Sequence, residues 1–279
     1  VIIGLSRISE VTSENYIPVI SMNQRKNINN LPPYPRLGEI YRILALAIDT
    51  KSKHKDVDRL AREGDYDWSL LPTLSEVLIL TPLRKHSDLK FVDLIAQCVN
   101  DFHKSYINLV STVQLDSLSR ENALPLLICN YFALHGLRFI SGVKQELGGP
   151  DLLRLLDPEQ RPIAVVLEWL DQNEQQPLIM TAFPETTGSD RSDRGKVNKW
   201  SKGGDLPDMG SINLFADKLA EKVDAKKVLD LRCWLVIARA LAFLEGKSPI
   251  PFRATMLRHL RTGRPDIDIR HLLSKAVIE

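Results

Sequence analysis

The sequence is short of cysteine, of net charge and of long apolar runs, and each shortage closes a class of function. Only three cysteines occur in 279 residues, Cys98, Cys129 and Cys233, far apart and each in an apolar context. They form no zinc or redox motif, and an odd, sparse set of this kind suits a reducing compartment, where thiols act as small core hydrophobes. His54, His86, His103 and His135 fall in separate segments without ligand spacing, so no metal site is expected. A formal net charge of +2 is too small to mark the whole chain as a polyanion binder. A nucleic-acid argument must therefore rest on local clustering. The most apolar stretches, 123–129 and 233–244, the second interrupted by Arg239, fall short of the ~20 residues that cross a bilayer. The amino terminus lacks the basic-then-apolar order of a secretory signal, and without an initiating Met the numbered chain reads as a fragment, or as beginning after other residues. These absences together give the expectation of a cytoplasmic protein without membrane contact.

Catalytic patterns are missing too. There is no Gly-x-Ser-x-Gly, no His-Glu-x-x-His and no paired-cysteine motif. Gly246, Lys247 and Ser248 end like a phosphate-binding loop, but Leu241 stands where its first glycine belongs and no strand precedes it. The expectation is a non-enzyme without cofactor.

What the chain does have is helical periodicity. Hydrophobic residues at 44% and charged residues at 26% are ordinary for a globular protein, and the length allows one large domain or two smaller ones. Residues 1–35, with the polar string Asn23 to Asn30 and then Pro32, Pro33 and Pro35, read as an extended arm. Leu37, Ile40, Ile43, Leu44 and Ala47 then recur at helical spacing, and a charged helix or loop follows to about Gly64. Ser87 is a candidate N-cap for the clearest helix, in which Phe91, Leu94, Ile95, Cys98, Val99, Phe102, Tyr106, Leu109 and Val110 keep period. Asn122 can cap another, with Pro125 in its first turn. Its apolar character on most sides predicts a central, buried helix ending at Gly148, Gly149 and Pro150. That break divides a helical domain, 36–149, from a second one, 150–279. Neither sustained alternation nor an internal repeat is present, which excludes a large sheet or a solenoid. The fold expected is all-α, a helical amino-terminal body followed by a carboxy-terminal region of shorter helices.

One stretch of that region carries a functional pattern. Val197 and Trp200 are three apart, Gly203 follows at the same interval, and Pro207 precedes Ile212, Phe215 and Ala216. These spacings resemble the second half of the lambda-repressor-like (XRE-type) helix-turn-helix family. There an apolar residue, a Trp and a Gly close the recognition helix, and a Pro starts the next. Ile163, Val166, Leu167 and Leu170 would be the first helix of the unit and Leu178 to Phe183 the second, the resemblance covering residues 163–222. It implies DNA binding through Arg191, Arg194, Lys196, Asn198, Lys199 and Lys202, on the face opposite Val197 and Trp200, where basic and amide side chains contact phosphates and base edges. The family joins its second and third helices by a tight turn, whereas residues 184–193, including Gly188, read here as a longer polar loop.

The carboxy-terminal tail is basic, and Arg253, Arg258, Arg261 and Arg264 are candidate phosphate contacts beside His259, Arg270 and His271. A solvated helix end or a protein interface would account for the same charges. Arg253 and His259 are also similar in spacing to the Arg-to-His motif of HEPN-type ribonucleases. The function expected is DNA binding by a regulator or nucleoprotein-complex subunit, with a protein partner or self-association through the amino-terminal body. The alternatives are a helical adaptor that binds only protein and, behind it, a HEPN-like ribonuclease.

Overall fold

Helix after helix forms where apolar residues recur at three and four. A computed structural model describes residues 35–49, 68–85, 89–112, 131–172, 174–248 and 251–263, together with Lys55, Arg59 and Ser87. The arm up to residue 34, the cap at Asn122 with Pro125, Cys129 and the tail from Arg264 onward lie outside the described residues, as does the charged segment after Asp49 apart from Lys55 and Arg59. Among the described residues there is no strand, and the fold is all-α. No described helix is long and apolar enough to cross a membrane.

The first helix, α1 (Leu37–Ile48), is opened by Glu39, whose carboxylate accepts the Arg36 N–H at 2.7 Å, and closed by Asp49 in the left-handed region at φ 56°. A 3-10 turn (Trp68–Leu70) and a π-wound stretch (Pro72–Leu80) lead into the short α2 (Thr81–Arg84). α3 (Leu89–Thr112) is the long helix that the sequence predicts, beginning two residues beyond Ser87, with Phe91, Ile95, Val99, Phe102, Tyr106 and Leu109 buried along one face. It packs on α4 (Ala133–Leu147). Between them lies an aromatic cluster in which the Phe102 ring meets Tyr131, Phe132 and His135 edge-on, at centroid distances of 5.4, 5.0 and 5.6 Å. The Tyr106 hydroxyl donates to the Pro35 carbonyl, and Tyr41 and His103 share a buried hydrogen bond of 3.0 Å that joins α1 to α3.

The remaining helices are α5 (Leu152–Leu155), α6 (Pro162–Asp171), α7 (Leu178–Ala182), α8 (Gly188–Lys202), α9 (Met209–Leu219), α10 (Ala225–Lys247) and α11 (Phe252–Thr262). α10 is the hub, packing against α1, α6, α9 and α11. Its run from Cys233 to Arg239 is buried without a break, the signature of a helix surrounded by others. The central position therefore belongs to α10. The described part of the helix ending at Leu147 instead buries one face, with Arg138 and Glu146 exposed.

Gly148, Gly149 and Pro150 end α4 as the sequence predicts, but the break is itself packed. The Gly148 carbonyl accepts the indole N–H of Trp234 at 3.0 Å, and an added Cβ at Gly149 would lie 2.0 Å from the Trp234 ring. Lys144 and Lys226 donate to the carbonyls of Pro150 and Leu147 at 2.8 and 3.2 Å. The position at 149/150 thus falls inside one compact unit, which holds every described residue.

A buried cation also crosses the break. Arg239 of α10 donates to the Leu46 carbonyl at 2.6 Å, to that of Ala47, and to that of Pro207 at 2.7 Å, and its guanidinium stands 3.8 Å from Asp49. Asp49 in turn accepts the Met209 N–H at 2.8 Å. The Ala47 carbonyl, and that of Leu46, which also accepts the Asp49 N–H at 3.3 Å, are thereby held at the end of α1 by α10, and the first N–H of α9 by Asp49. Burial holds the Arg239 pKa below its usual value, against the pull of Asp49 and Asp208.

Candidate nucleic-acid interface

The five helices α6 to α10 interlock around a small apolar centre. α8 rests on α6 and α7, while α9 rests on α7 and α10. Val197 and Trp200 are 2% and 4% exposed, and Ile212, Phe215 and Ala216 are fully buried, so the spaced apolar residues all point inward. Phe183 stacks on Phe215 at 5.7 Å. Two carboxylates set the connections. Asp171, at the end of α6, accepts the Leu178 N–H at 2.8 Å and so caps α7, its own pKa pushed up by burial. Asp190 accepts the Glu185 N–H at 3.2 Å and holds the approach to α8.

That approach is shorter than the sequence suggests. α8 begins at Gly188, which takes a positive φ of 63°, leaving residues 183–187 as the connection from α7. The polar composition of 184–193 reads as loop because Ser189, Asp190, Ser192 and Asp193 are poor formers of helix interiors. Their place in the first turns of a helix suits them better. At the other end, Gly203 adopts the left-handed conformation at φ 75°, and the N–H groups of Gly203 and Gly204 close on the carbonyls of Trp200 and Lys199 at 3.1 and 2.9 Å. Pro207 is buried two residues before α9, and the cap itself is Asp208, which accepts the Ser211 N–H at 2.8 Å.

With Val197 and Trp200 held down, Arg191, Gly195, Asn198 and Lys202 align along the outer face of α8, flanked by Ser192 and Lys199, and all six are exposed. The expected contact residues divide into two groups. Arg194 is half-buried and donates to the Glu185 carbonyl and, at 3.4 Å, to the Met180 sulfur, which ties α8 to α7. Lys196 is ion-paired with Asp193 at 2.8 Å. Among the described residues, Arg191, Lys199 and Lys202 have neither a carboxylate nor a hydrogen-bond acceptor for their side chains.

No family model matches this sequence, and neither a curated protein nor a solved structure is significantly similar to it.

The basic tail is redistributed as well. Arg253 does not stand at the surface. Its guanidinium is turned inward, donating to the carbonyls of Asp157 at 2.8 Å, Gln160 at 2.9 Å, Pro158 at 3.2 Å and Leu155 at 3.5 Å. The physical reason is that the last residue of the short α5 and the loop after it turn several carbonyls inward, and a planar fork of donors satisfies them together. Burial keeps the Arg253 pKa below its usual value. His259 is half-buried on the same helix, while Arg258 and Arg261 are exposed on α11, which packs against α4 and α10.

No group of three His, Cys, Asp or Glu side chains among the described residues could hold a metal ion. Cys98 and Cys233 are not in disulfides, and burial pushes the Cys98 pKa up to about 12, far from a reactive thiolate.

One basic residue near α8 goes unnoticed in a reading by spacing. Arg161 lies immediately before α6, is exposed, and lays its side chain over Gly203: an added Cβ there would lie 3.4 Å from its Nε and 3.7 Å from its Cζ. Nothing local in the sequence links positions 161 and 203, because only the packing of α6 on α8 brings them together.

Proposed function

We propose that this chain binds duplex DNA through the exposed face of α8, as a regulator or as a subunit of a nucleoprotein complex, with α6, α7 and α8 forming a helix-turn-helix unit of the lambda-repressor-like kind. The observation that carries the reading is the division of labour on α8. One face is fixed by Val197 and Trp200, and the opposite face offers Arg191, Lys199 and Lys202 without internal partners, next to Asn198. Unpaired cations on a rigid helix suit phosphate oxygens, and an amide among them suits an adenine edge in the major groove. Lys196, balanced by Asp193, and Arg194, engaged with the α7–α8 connection, serve this face as supports rather than as primary contacts.

A duplex fits better than a single strand. Single-strand platforms stack bases on exposed aromatic rings. Trp200 is buried, and none of the exposed large apolar side chains among the described residues is aromatic. The ribonuclease reading loses its Arg, since the Arg253 guanidinium is already engaged by backbone carbonyls. The adaptor reading keeps the exposed leucines Leu46, Leu89, Leu153, Leu206 and Leu214. They lie on five separate segments, and single exposed leucines are ordinary on protein surfaces.

The test is fluorescence anisotropy of the full chain against mixed-sequence duplex DNA, single-stranded DNA and RNA over a range of salt. Duplex binding should weaken with a log–log slope near −0.9 per neutralised phosphate. Replacing Lys199 and Lys202 with Glu should abolish it while the helical circular dichroism is retained. A wild-type chain that binds no duplex at low salt would hand the function to the adaptor reading.

A further inference from the structure

Arg161 lies outside α8, immediately ahead of α6, yet the fold delivers it to the end of α8. Three observations bear on why. First, the loop that leads to it is fixed from behind: Arg253 gathers the carbonyls of Leu155, Asp157, Pro158 and Gln160, the last immediately before Arg161. Second, the absence of a side chain at Gly203 lets the Arg161 guanidinium lie against the end of α8, while the neighbouring Gly204 is packed on the Lys199 side chain, whose Cβ would lie 3.7 Å from a Cβ at that position. Third, Arg161 makes no side-chain cap on α6, and among the described residues its guanidinium has no acceptor of any kind. An arginine whose preceding loop is anchored and whose guanidinium rests beside Gly203, with its donors unused, is prepared for an acceptor from outside.

We infer that Arg161 is a phosphate contact supplied from outside the recognition helix, forming with Lys199 and Lys202 an anion site for the DNA backbone at the carboxy-terminal end of α8. The inference rests on the duplex-binding reading and adds a residue that the helix-turn-helix pattern of the sequence does not contain. The site carries no direct sequence information, because phosphates are the same at every base pair. It sets register instead: with Arg191 near the start of α8 and Arg161 at its end, the helix is tethered to the backbone at both extremities. Buried Arg253 is then a positioning residue, acting on the DNA only through the loop that carries Arg161.

A competing role for Arg161 is purely structural. A cation beside the last turn of α8 complements the negative end of the helix dipole. The two roles separate in the measurement. Arg161→Ala and Arg161→Lys are made in the full chain, and each is titrated with two unrelated mixed-sequence duplexes over a series of salt concentrations and melted by circular dichroism. Arg161→Ala should make the salt slope shallower by about 0.9, weaken both duplexes by the same factor and leave the melting temperature unchanged, while Arg161→Lys, keeping the point charge, should keep the slope. An unchanged slope in Arg161→Ala overturns the inference. A lowered melting temperature with an unchanged slope overturns it in favour of the dipole role. In both of those outcomes the wild type still binds duplex DNA, so the larger proposal survives; a wild type that binds neither duplex overturns both.

Discussion

Placing a single methyl group at Gly149 offers a sharp test of how the two ends of the described chain are joined. The added Cβ would stand 2.0, 2.5 and 2.8 Å from three ring atoms of Trp234, well inside contact distance. The ring has little freedom to retreat. It is fully buried, meets Trp169 edge-on at 6.1 Å, and donates its N–H to the Gly148 carbonyl at 3.0 Å. Overpacking of this kind costs about 1–3 kcal/mol, and displacing the indole from its acceptor adds about 1 kcal/mol. Gly149→Ala should therefore lose about 3 kcal/mol, and at ~2–4 °C per kcal/mol for a chain of this size the melting temperature should fall by roughly 6–12 °C. Gly195→Ala is the matched control. It also adds one methyl group, but on the exposed face of α8 with nothing within 4 Å, and should gain up to about 1 kcal/mol from helix propensity. Thermal melts of the three proteins followed at 222 nm decide the matter. If Gly149→Ala melts with the wild type, Trp234 does not sit against this junction and the account of the joint is refuted.

Two further outcomes follow from buried groups. Trp200→Ala empties a site that is 4% exposed beneath α8 and should cost about 3–5 kcal/mol, so urea melts should shift together with any loss of DNA binding, unlike the charge reversals at Lys199 and Lys202. His135 is driven from its ordinary 6.5 to about 4, first by burial and then by the charge of Arg138; the folded chain thus binds fewer protons than the unfolded one, and the resulting stability, complete above pH 6.5, is lost as pH falls from 6.5 toward 4. At about 1.4 kcal/mol per pH unit the wild type should lose roughly 3 kcal/mol over that window, and His135→Leu, compared by urea unfolding at each pH, should show a flatter profile; parallel curves would mean that His135 is not buried in its neutral form.

Much of the helical layout is legible in the sequence because apolar period and turn chemistry act locally. The stripe from Phe91 to Leu109 yields α3, Ile163 to Leu170 yields α6, and Val197, Trp200 and Gly203 yield the inner face and end of α8. The start of α8 is misread because serines and aspartates serve a first turn and a loop equally well, and only Asp190 reaching back to the Glu185 N–H distinguishes them. The arginines are the least legible residues. Arg161, Arg194, Arg239 and Arg253 look alike in any window of sequence, yet one is exposed and unpartnered, one ties a turn, and two are buried against carbonyls distant along the chain. A buried arginine is specified by the backbone oxygens that need it, and these come from α1, from the end of α5 and from the residue before Asp208. The glycine-rich break misleads for the same reason, since its partner, Trp234, is 86 positions away.

The Arg239 junction also dictates how this molecule can open. α1 cannot lift away without leaving a buried guanidinium short of the Leu46 and Ala47 carbonyls and the first N–H of α9 short of Asp49, a loss severe enough that α10 and α9 must let go in the same event. Amide protons in α1 and in α9 should then exchange with solvent through one shared opening, slowed or hastened together. A ligand that grips only the folded α9 would register as added protection in α1, an element that it never touches.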